Sequence, residues 1–309
     1  MNQTQVLMVE VGAGQEDQRL DNFLLSYLKG VPKSLVYRIV RRGEVRINGG
    51  RAKPHTRLTA GDKVRIPPLR WEIKEKQPPG DAALQRVAAA LIHEDRNYLV
   101  LNKPAGMAVH GGSGISYGVI EALRALRPQA PLLALAHRLD RDTSGCLLVA
   151  KKRSALREFQ QLLRQGEVHK QYLTLLRGQC EPDWTTDVPL KKNVLSSGER
   201  IVRVNFDGGK EARTRFHVQR QYSHAALVEV TLETGRTHQI RVHSAHSGHV
   251  IAGDEKYGDS GFNVRMREQG LKRLFLHARQ LQFRLENGAD YCFTAALPAD
   301  LKQVLKCIE

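Results

Sequence analysis

Cysteine is scarce in this chain of 309 residues: Cys146, Cys180, Cys292 and Cys307 are all it has. They lie far apart and form no C-x-x-C pair. Neither a disulfide framework nor a zinc knuckle follows, and a reducing compartment fits best. Long apolar runs are also missing. None approaches the roughly 20 residues needed to span a bilayer. The opening stretch, MNQTQVLMVEVGAGQEDQR, lacks a basic segment followed by an apolar core, so no secretory signal is expected. Internal repeats and low-complexity tracts are absent. A cytoplasmic globular protein is the expectation from these absences. Acidic residues are the last shortage. The chain has 32 Asp and Glu against 48 Lys and Arg, a net charge of +16, and a pI near 9.9. Such a balance favours a polyanionic partner, because Lys and Arg displace the counterions condensed on phosphates.

The positive charge is unevenly spread. Residues 18–68 hold twelve Lys and Arg against three Asp and Glu, a net +9. The length suffices for two domains with separate cores. A small basic module therefore precedes a larger, nearly balanced one. In the small module, Leu20, Phe23, Leu24 and Leu28 fall at helical spacing. Gly30-Val31-Pro32 breaks that helix, and Pro32 suits the start of the next. Leu35, Val36, Ile39 and Val40 form the second apolar stripe, with Lys33, Arg38, Arg41 and Arg42 largely off it. Gly43 ends this helix. The strand Val45-Arg46-Ile47 follows, then Asn48-Gly49, a strong tight-turn signal. Lys63 to Ile66 alternates as another strand. Residues 1–17 read as an N-terminal extension and 69–90 as a linker, with Pro78-Pro79-Gly80 inside a stretch of no clear period.

The larger module spans 91–309. Tyr98 to Leu101 reads as a buried strand, as do Leu147 to Ala150 and Tyr172 to Leu176. Ser154 to Gln165 reads as a helix with Ser154 as N-cap. Several strands are expected between Arg200 and Glu233, and a closing helix from Pro298 to Ile308. Strands with interspersed helices predict an α+β fold with a mixed sheet rather than regular βαβ winding.

Two stretches point to chemistry. His137-Arg138-Leu139-Asp140-Arg141-Asp142-Thr143-Ser144-Gly145 leads directly into a predicted strand, where a sheet edge can hold a reactive group. Thr234 to His243 packs Arg236, His238, Gln239, Arg241 and His243 into ten residues, interrupted by Ile240 and Val242. The interruption implies partial burial, and a buried Arg requires a paired acid or phosphate. Other readings fit less well. His238, His243, His246 and His249 have no Cys or carboxylate at zinc spacing, so no metal is expected. Gly111-Gly112-Ser113-Gly114 matches neither nucleotide-loop pattern, since Tyr117 takes the last glycine position and no Lys-Ser/Thr follows. Ser144 lies in Thr-Ser-Gly, not in a hydrolase elbow.

Together these stretches resemble the RluA family of pseudouridine synthases. HRLDRDTSG fits the family's HRLDxxTSG pattern at every fixed position. Asn102 to His110 looks like its first motif, Lys170-Gln171-Tyr172 its K-x-Y motif, and GRTHQIRVH its later basic motif. The likeness runs from about residue 93 to the C-terminus. Residues 18–68 resemble an S4 RNA-binding domain, and this arrangement is most like the family members that act on large-subunit (23S) rRNA. The resemblance implies a largely antiparallel pseudouridine synthase sheet, catalysis by Asp140 with Tyr172 and Arg241, and base flipping without a cofactor. Arg138 would take the place of the flipped base, and Arg236, His238 and Gln239, with His137, would line the RNA path. Lys33, Arg38, Arg41, Arg42 and Arg46 would contact rRNA from the S4-like module. Asp142 stands at a variable position and reads as structural or exposed. No membrane and no obligate protein partner are implied. Two further readings stay open from the residues alone, a non-catalytic RNA-binding protein and a base-excising glycosidase.

Overall fold

Residues 2–3, 5–28, 30–70, 78–112, 115–194 and 200–309 are described by the structure, a computed structural model. Contacts divide the chain into units of residues 1–76 and 77–309.

In the smaller unit the two apolar stripes form the helices Leu20–Tyr27 and Lys33–Arg41. Leu20, Phe23 and Leu24 of the first and Val36, Ile39 and Val40 of the second share one core with Val64 and Ile66. Four short strands complete it, in the order Leu7–Glu10, Lys63–Ile66, Arg46–Ile47 and Gly50–Arg51. Asn48 and Gly49 both take positive φ, 50° and 80°, as a two-residue hairpin turn with the twist of its strands requires. The expected extension at 1–17 is partly corrected, because Leu7 to Glu10 pair with Ile66 to Lys63 inside this sheet.

The larger unit is built on a ten-stranded sheet. Its main path runs Asp183–Asp187, Arg213–Gln221, Ala225–Leu232, His169–Arg177, Leu276–Arg284, Ser144–Ala150, Tyr98–Lys103 and Leu91–Glu94. Pairings are antiparallel except between Ser144–Ala150 and Leu276–Arg284, which run parallel. The expected mixed, largely antiparallel α+β arrangement is therefore found. The central strands are apolar at successive positions because both faces are covered. Tyr98 and Val100 join Ala155, Phe159 and Leu162 of helix Arg153–Gln165 on one face. Leu99 and Leu101 join Val119, Ile120 and Leu123 of helix Val119–Leu126 on the other.

Two local expectations change. Helix Arg153–Gln165 starts one residue early, with Lys152 as an N-cap that makes no side-chain hydrogen bond, so Ser154 does not cap it. Residues 81–89 are a helix whose Ala83 and Val87 enter the larger unit's core, so the predicted linker ends before them. Residues 71–77 of that linker, and Ser113 and Gly114, lie outside the described residues. Among the described residues no helix is long and apolar enough to cross a membrane.

Candidate active site

Strand Ser144–Ala150 begins where two backbones nearly touch. Gly145 has φ +114°, and a Cβ there would lie 2.1 Å from the Ala278 carbonyl oxygen. Only glycine permits this approach, which fixes where the preceding loop enters the sheet. The loop is held from a second side by Lys103. Its side chain is fully buried, and its ammonium donates to the carbonyls of Pro104, Met107 and Arg141 at 2.9, 2.8 and 2.9 Å. Burial pulls its pKa down to about 7, against the opposing pull of Asp142 and Asp140. Three carbonyl acceptors use all three ammonium protons, so the cradle favours the charged form.

Asp140 stands on this loop between two cavities. The smaller, about 290 Å³, is walled by Leu139, Tyr172, Leu232, Ile240 and Leu276. The larger, about 1260 Å³, opens past Arg138 toward Lys192, Lys256 and Arg273. The Asp140 carboxylate lies 3.9 Å from Nη1 of Arg241 and 3.8 Å from Nε2 of His238. Tyr172 is buried in the smaller cavity, and burial together with the Asp140 charge pushes its phenol well above the ordinary range. The residues that the sequence singled out for catalysis thus share one site.

The buried Arg241 has its acid in Asp254. Its Nε and Nη2 donate to the two carboxylate oxygens of Asp254, both at 2.7 Å. The Arg241 side chain is 11% exposed and that of Asp254 only 1%. Burial works against both charges, but their bidentate bond outweighs it, holding Asp254 below the usual carboxylate range and raising Arg241. The Arg241 guanidinium also lies 4.9 Å above the Tyr257 ring. With three sides fixed, Nη1 is left facing Asp140.

His238 is held as firmly. Among the described residues it is one of three non-glycine residues at positive φ, 54°, immediately before helix Gln239–His246. Its Nδ1 lies 2.7 Å from the Tyr257 hydroxyl, which itself accepts the Val202 amide at 2.9 Å. Burial lowers the His238 pKa, against the pull of Asp140. A neutral imidazole that accepts from Tyr257 at Nδ1 carries its proton on Nε2, toward the carboxylate.

Two expected RNA contacts are turned inward. Gln239 is 2% exposed and uses its whole amide. Its oxygen accepts from the Arg236 amide and the Thr234 hydroxyl, and its nitrogen donates to the Arg213 carbonyl and Thr214 Oγ1. It braces the loop that carries His238 rather than reaching a ligand. His137 Nε2 accepts the Leu148 amide at 3.0 Å, its ring packs on Phe159, and burial takes its pKa down to about 4. Arg138 and Arg236 are exposed at the cavity rim, with Arg236 donating to the Glu211 carbonyl at 2.9 Å.

In the smaller unit Lys33, Arg38, Arg41 and Arg42 are all exposed on or just past one helix. Arg46 stands directly between Arg65 and Arg51 on neighbouring strands. Like charges in cross-strand register destabilise a sheet, and a polyanion would relieve them.

Lys103, Asp254, Tyr257, Arg51 and Arg65 were not singled out from the sequence. Asp254 had a signal: an acid after the apolar run Val250-Ile251-Ala252, in a chain whose buried Arg241 needed a partner. Tyr257 had none, since its role depends on Val202 and His238 meeting it from distant segments. Among the described residues no group of three or more His, Cys, Asp or Glu could hold a metal ion.

Comparison with known proteins agrees over both units. Residues 97–246 match the RNA pseudouridylate synthase family and residues 18–64 the S4 domain. The chain is 53% identical over 310 aligned residues to ribosomal large subunit pseudouridine synthase C of Salmonella typhi, covering 98% of this chain and 96% of that protein. It is 55% identical over 284 residues to the protein of the same name from Escherichia coli K12, covering 90% and 88%. Among solved structures, human RNA pseudouridylate synthase domain containing 4 matches with a TM-score of 0.61 and 25% identity, over 74% of this chain and 95% of that one. With a near-full-length match of this kind and a charged Asp140–Arg241–Asp254 site at its centre, the chain belongs to the RNA pseudouridylate synthase family and carries an S4 domain ahead of the catalytic one.

Proposed function

We propose that this protein isomerises uridines of large-subunit (23S) ribosomal RNA to pseudouridine, with Asp140 as the catalytic carboxylate. The observation that carries the proposal is the placement of Asp140, 3.9 Å from Arg241, in the lining of a small cavity shared with Tyr172, Leu139, Leu232, Ile240 and Leu276. The relatives that are named for large-subunit rRNA, identical at 53–55%, support the substrate.

The chemistry asks for little else. The C1′–N1 bond breaks, the uracil turns, C1′ bonds to C5, and the proton lost from C5 is balanced by one gained at N1. Cleavage builds positive charge at C1′, as in glycoside chemistry. A carboxylate facing that carbon answers the charge, whether it traps C1′ or takes the 2′ proton. Arg241 presents Nη1 to the carboxylate at 3.9 Å, and Asp254 keeps Arg241 in place. Tyr172 offers its ring to the uracil. The apolar walls exclude the water that would release the detached base. No step calls for a cofactor.

Uracil reaches such a cavity only out of its stack. Extrusion costs a few kcal/mol in a duplex and less in a loop. Arg138 is exposed at the cavity, and in this reading its guanidinium fills the vacated position. The S4 domain, at residues 18–68 in our reading, adds affinity through its exposed helix cations and the Arg65–Arg46–Arg51 row, raising the effective concentration of RNA at the catalytic domain. The four free cysteines fit a reducing, cytoplasmic setting.

Pseudouridine mapping of rRNA from cells lacking this protein tests the proposal. Specific large-subunit positions should lose the modification and regain it with the wild-type gene but not with Asp140→Asn. An unchanged map would refute it. Free uracil in the reaction would instead favour the glycosidase reading.

A further inference from the structure

We propose that Lys170 binds a backbone phosphate next to the extruded uridine. This deepens the function proposed above and rests on it. Lys170 lies two residues before Tyr172 on strand His169–Arg177, and both line the smaller cavity. It is half-buried, and among the described residues its side chain has no hydrogen bond or ion pair. The buried cations beside it have fixed roles: Arg241 is bonded to Asp254, and Lys103 to three carbonyls.

Nor is Lys170 the counter-ion of Asp140. The Asp140 charge is felt at Tyr172 and His238, whereas burial alone acts on Lys170 and lowers its pKa. Its ammonium lies at the rim instead. A Cβ placed on Gly235 would stand 3.6 Å from Nζ, and Gly235 and Arg236 are both exposed. Lys170, Arg236 and Arg138 therefore stand at a cavity that also presents apolar side chains, Leu139, Leu232, Ile240 and Leu276, beside the Asp140–Arg241 pair. A nucleotide entering base first brings its uracil to the leucines and leaves its phosphates among these cations. An unpaired, partly desolvated ammonium is costly in the free protein. A phosphate oxygen removes that cost with a charge-assisted hydrogen bond.

The test is a binding cycle in an Asp140→Asn background, so that affinity is read without turnover. The ligands are an rRNA fragment holding one mapped target uridine, and the same fragment with a methylphosphonate at the linkage 5′ or 3′ to it. One neutral linkage should weaken binding about tenfold when Lys170 is present and have little further effect in Lys170→Met. Lys170→Met should also reduce the salt slope of binding by about 0.7, and Lys170→Arg should keep part of the linkage effect. Its unfolding temperature should not fall, because an unpaired charge is removed. Should Lys170→Met nonetheless fail to fold, Lys170→Gln carries the same comparison. Equal linkage effects with and without Lys170, or none at either linkage, would overturn the proposal. A penalty for 4-thiouridine that vanishes in Lys170→Met, without a linkage effect, would also overturn it and reassign Lys170 to the base. Pseudouridine formation by the Asp140 protein is scored separately. Its absence with an intact linkage effect sinks the catalytic reading alone.

Discussion

The smaller unit and the catalytic cleft both gather cations, but they hold them in opposite ways. Lys33, Arg38, Arg41 and Arg42 stand in water along one helix, and among the described residues only Arg42 pairs with an acid, Glu44 at 3.8 Å. In the cleft, Arg241 is almost wholly enclosed and bonded at two points to an enclosed Asp254. Exposed charges supply attraction that salt screens and that tolerates movement. Enclosed charges supply a fixed direction, which a reacting carbon needs and a phosphate chain does not. One charge type thus serves reach in one unit and aim in the other.

Removing the aimed carboxylate should break this contrast most sharply. Asp140→Asn should lower turnover by ~10⁴-fold or more while leaving RNA affinity within a few-fold, measured by tritium release and by direct titration. Loss of affinity in step with turnover would contradict the division. Asp254→Asn comes next. Arg241 would keep its hydrogen-bonding neighbour but lose the paired charge, so turnover should drop on the order of 10²-fold and stability by roughly 3 kcal/mol. Denaturant unfolding and single-turnover rates separate the two effects.

Acid should act on the larger unit. His137, His238, His243 and His277 all have pKa values lowered by burial. The unfolded chain therefore binds more protons, and stability falls as pH drops from about 6.5 toward the folded-state values. His137, at about 4 against 6.5, accounts for on the order of 3 kcal/mol across that window. Thermal unfolding between pH 7 and pH 4.5 should follow this slope, and His137→Gln should flatten it.

The exposed cations should give smaller, purely associative effects. Arg38→Ala with Arg41→Ala should raise KM several-fold, leave kcat unchanged, and reduce the salt slope of binding by about 0.7–0.9 per residue. A change in kcat would mean that the S4 domain does more than hold RNA. Asp142→Asn should do least. Its side chain is 44% exposed and, among the described residues, its ion pair is with adjacent Arg141, so both activity and stability should stay near wild type.

Asp140, Tyr172 and Arg241 were legible because each sits in a run of residues unlike ordinary surface or core. The structure then brings all three to one cavity. Gln239 and His137 were misjudged for the same reason. Polar residues within a basic motif look like ligand contacts until their hydrogen bonds are counted, and Gln239 has none to spare. The outer boundaries were also misjudged. Residues 7–10 join a sheet only because Lys63–Ile66, more than 50 residues later, offers an open edge. Helix 81–89 belongs to a core made mostly by residues after 98.

The sequence by itself determined the two-part plan, the helices and central strands, and the loop that bears Asp140. Periodicity, turn residues and charge density are local properties that each segment carries with it. Only the tertiary structure decided which acid holds Arg241, which nitrogen of His238 faces the carboxylate, and which lysines are bound or left free at the cavity. Those facts depend on distances between segments up to about a hundred residues apart, and on a burial that turns a weak surface attraction into a fixed orientation.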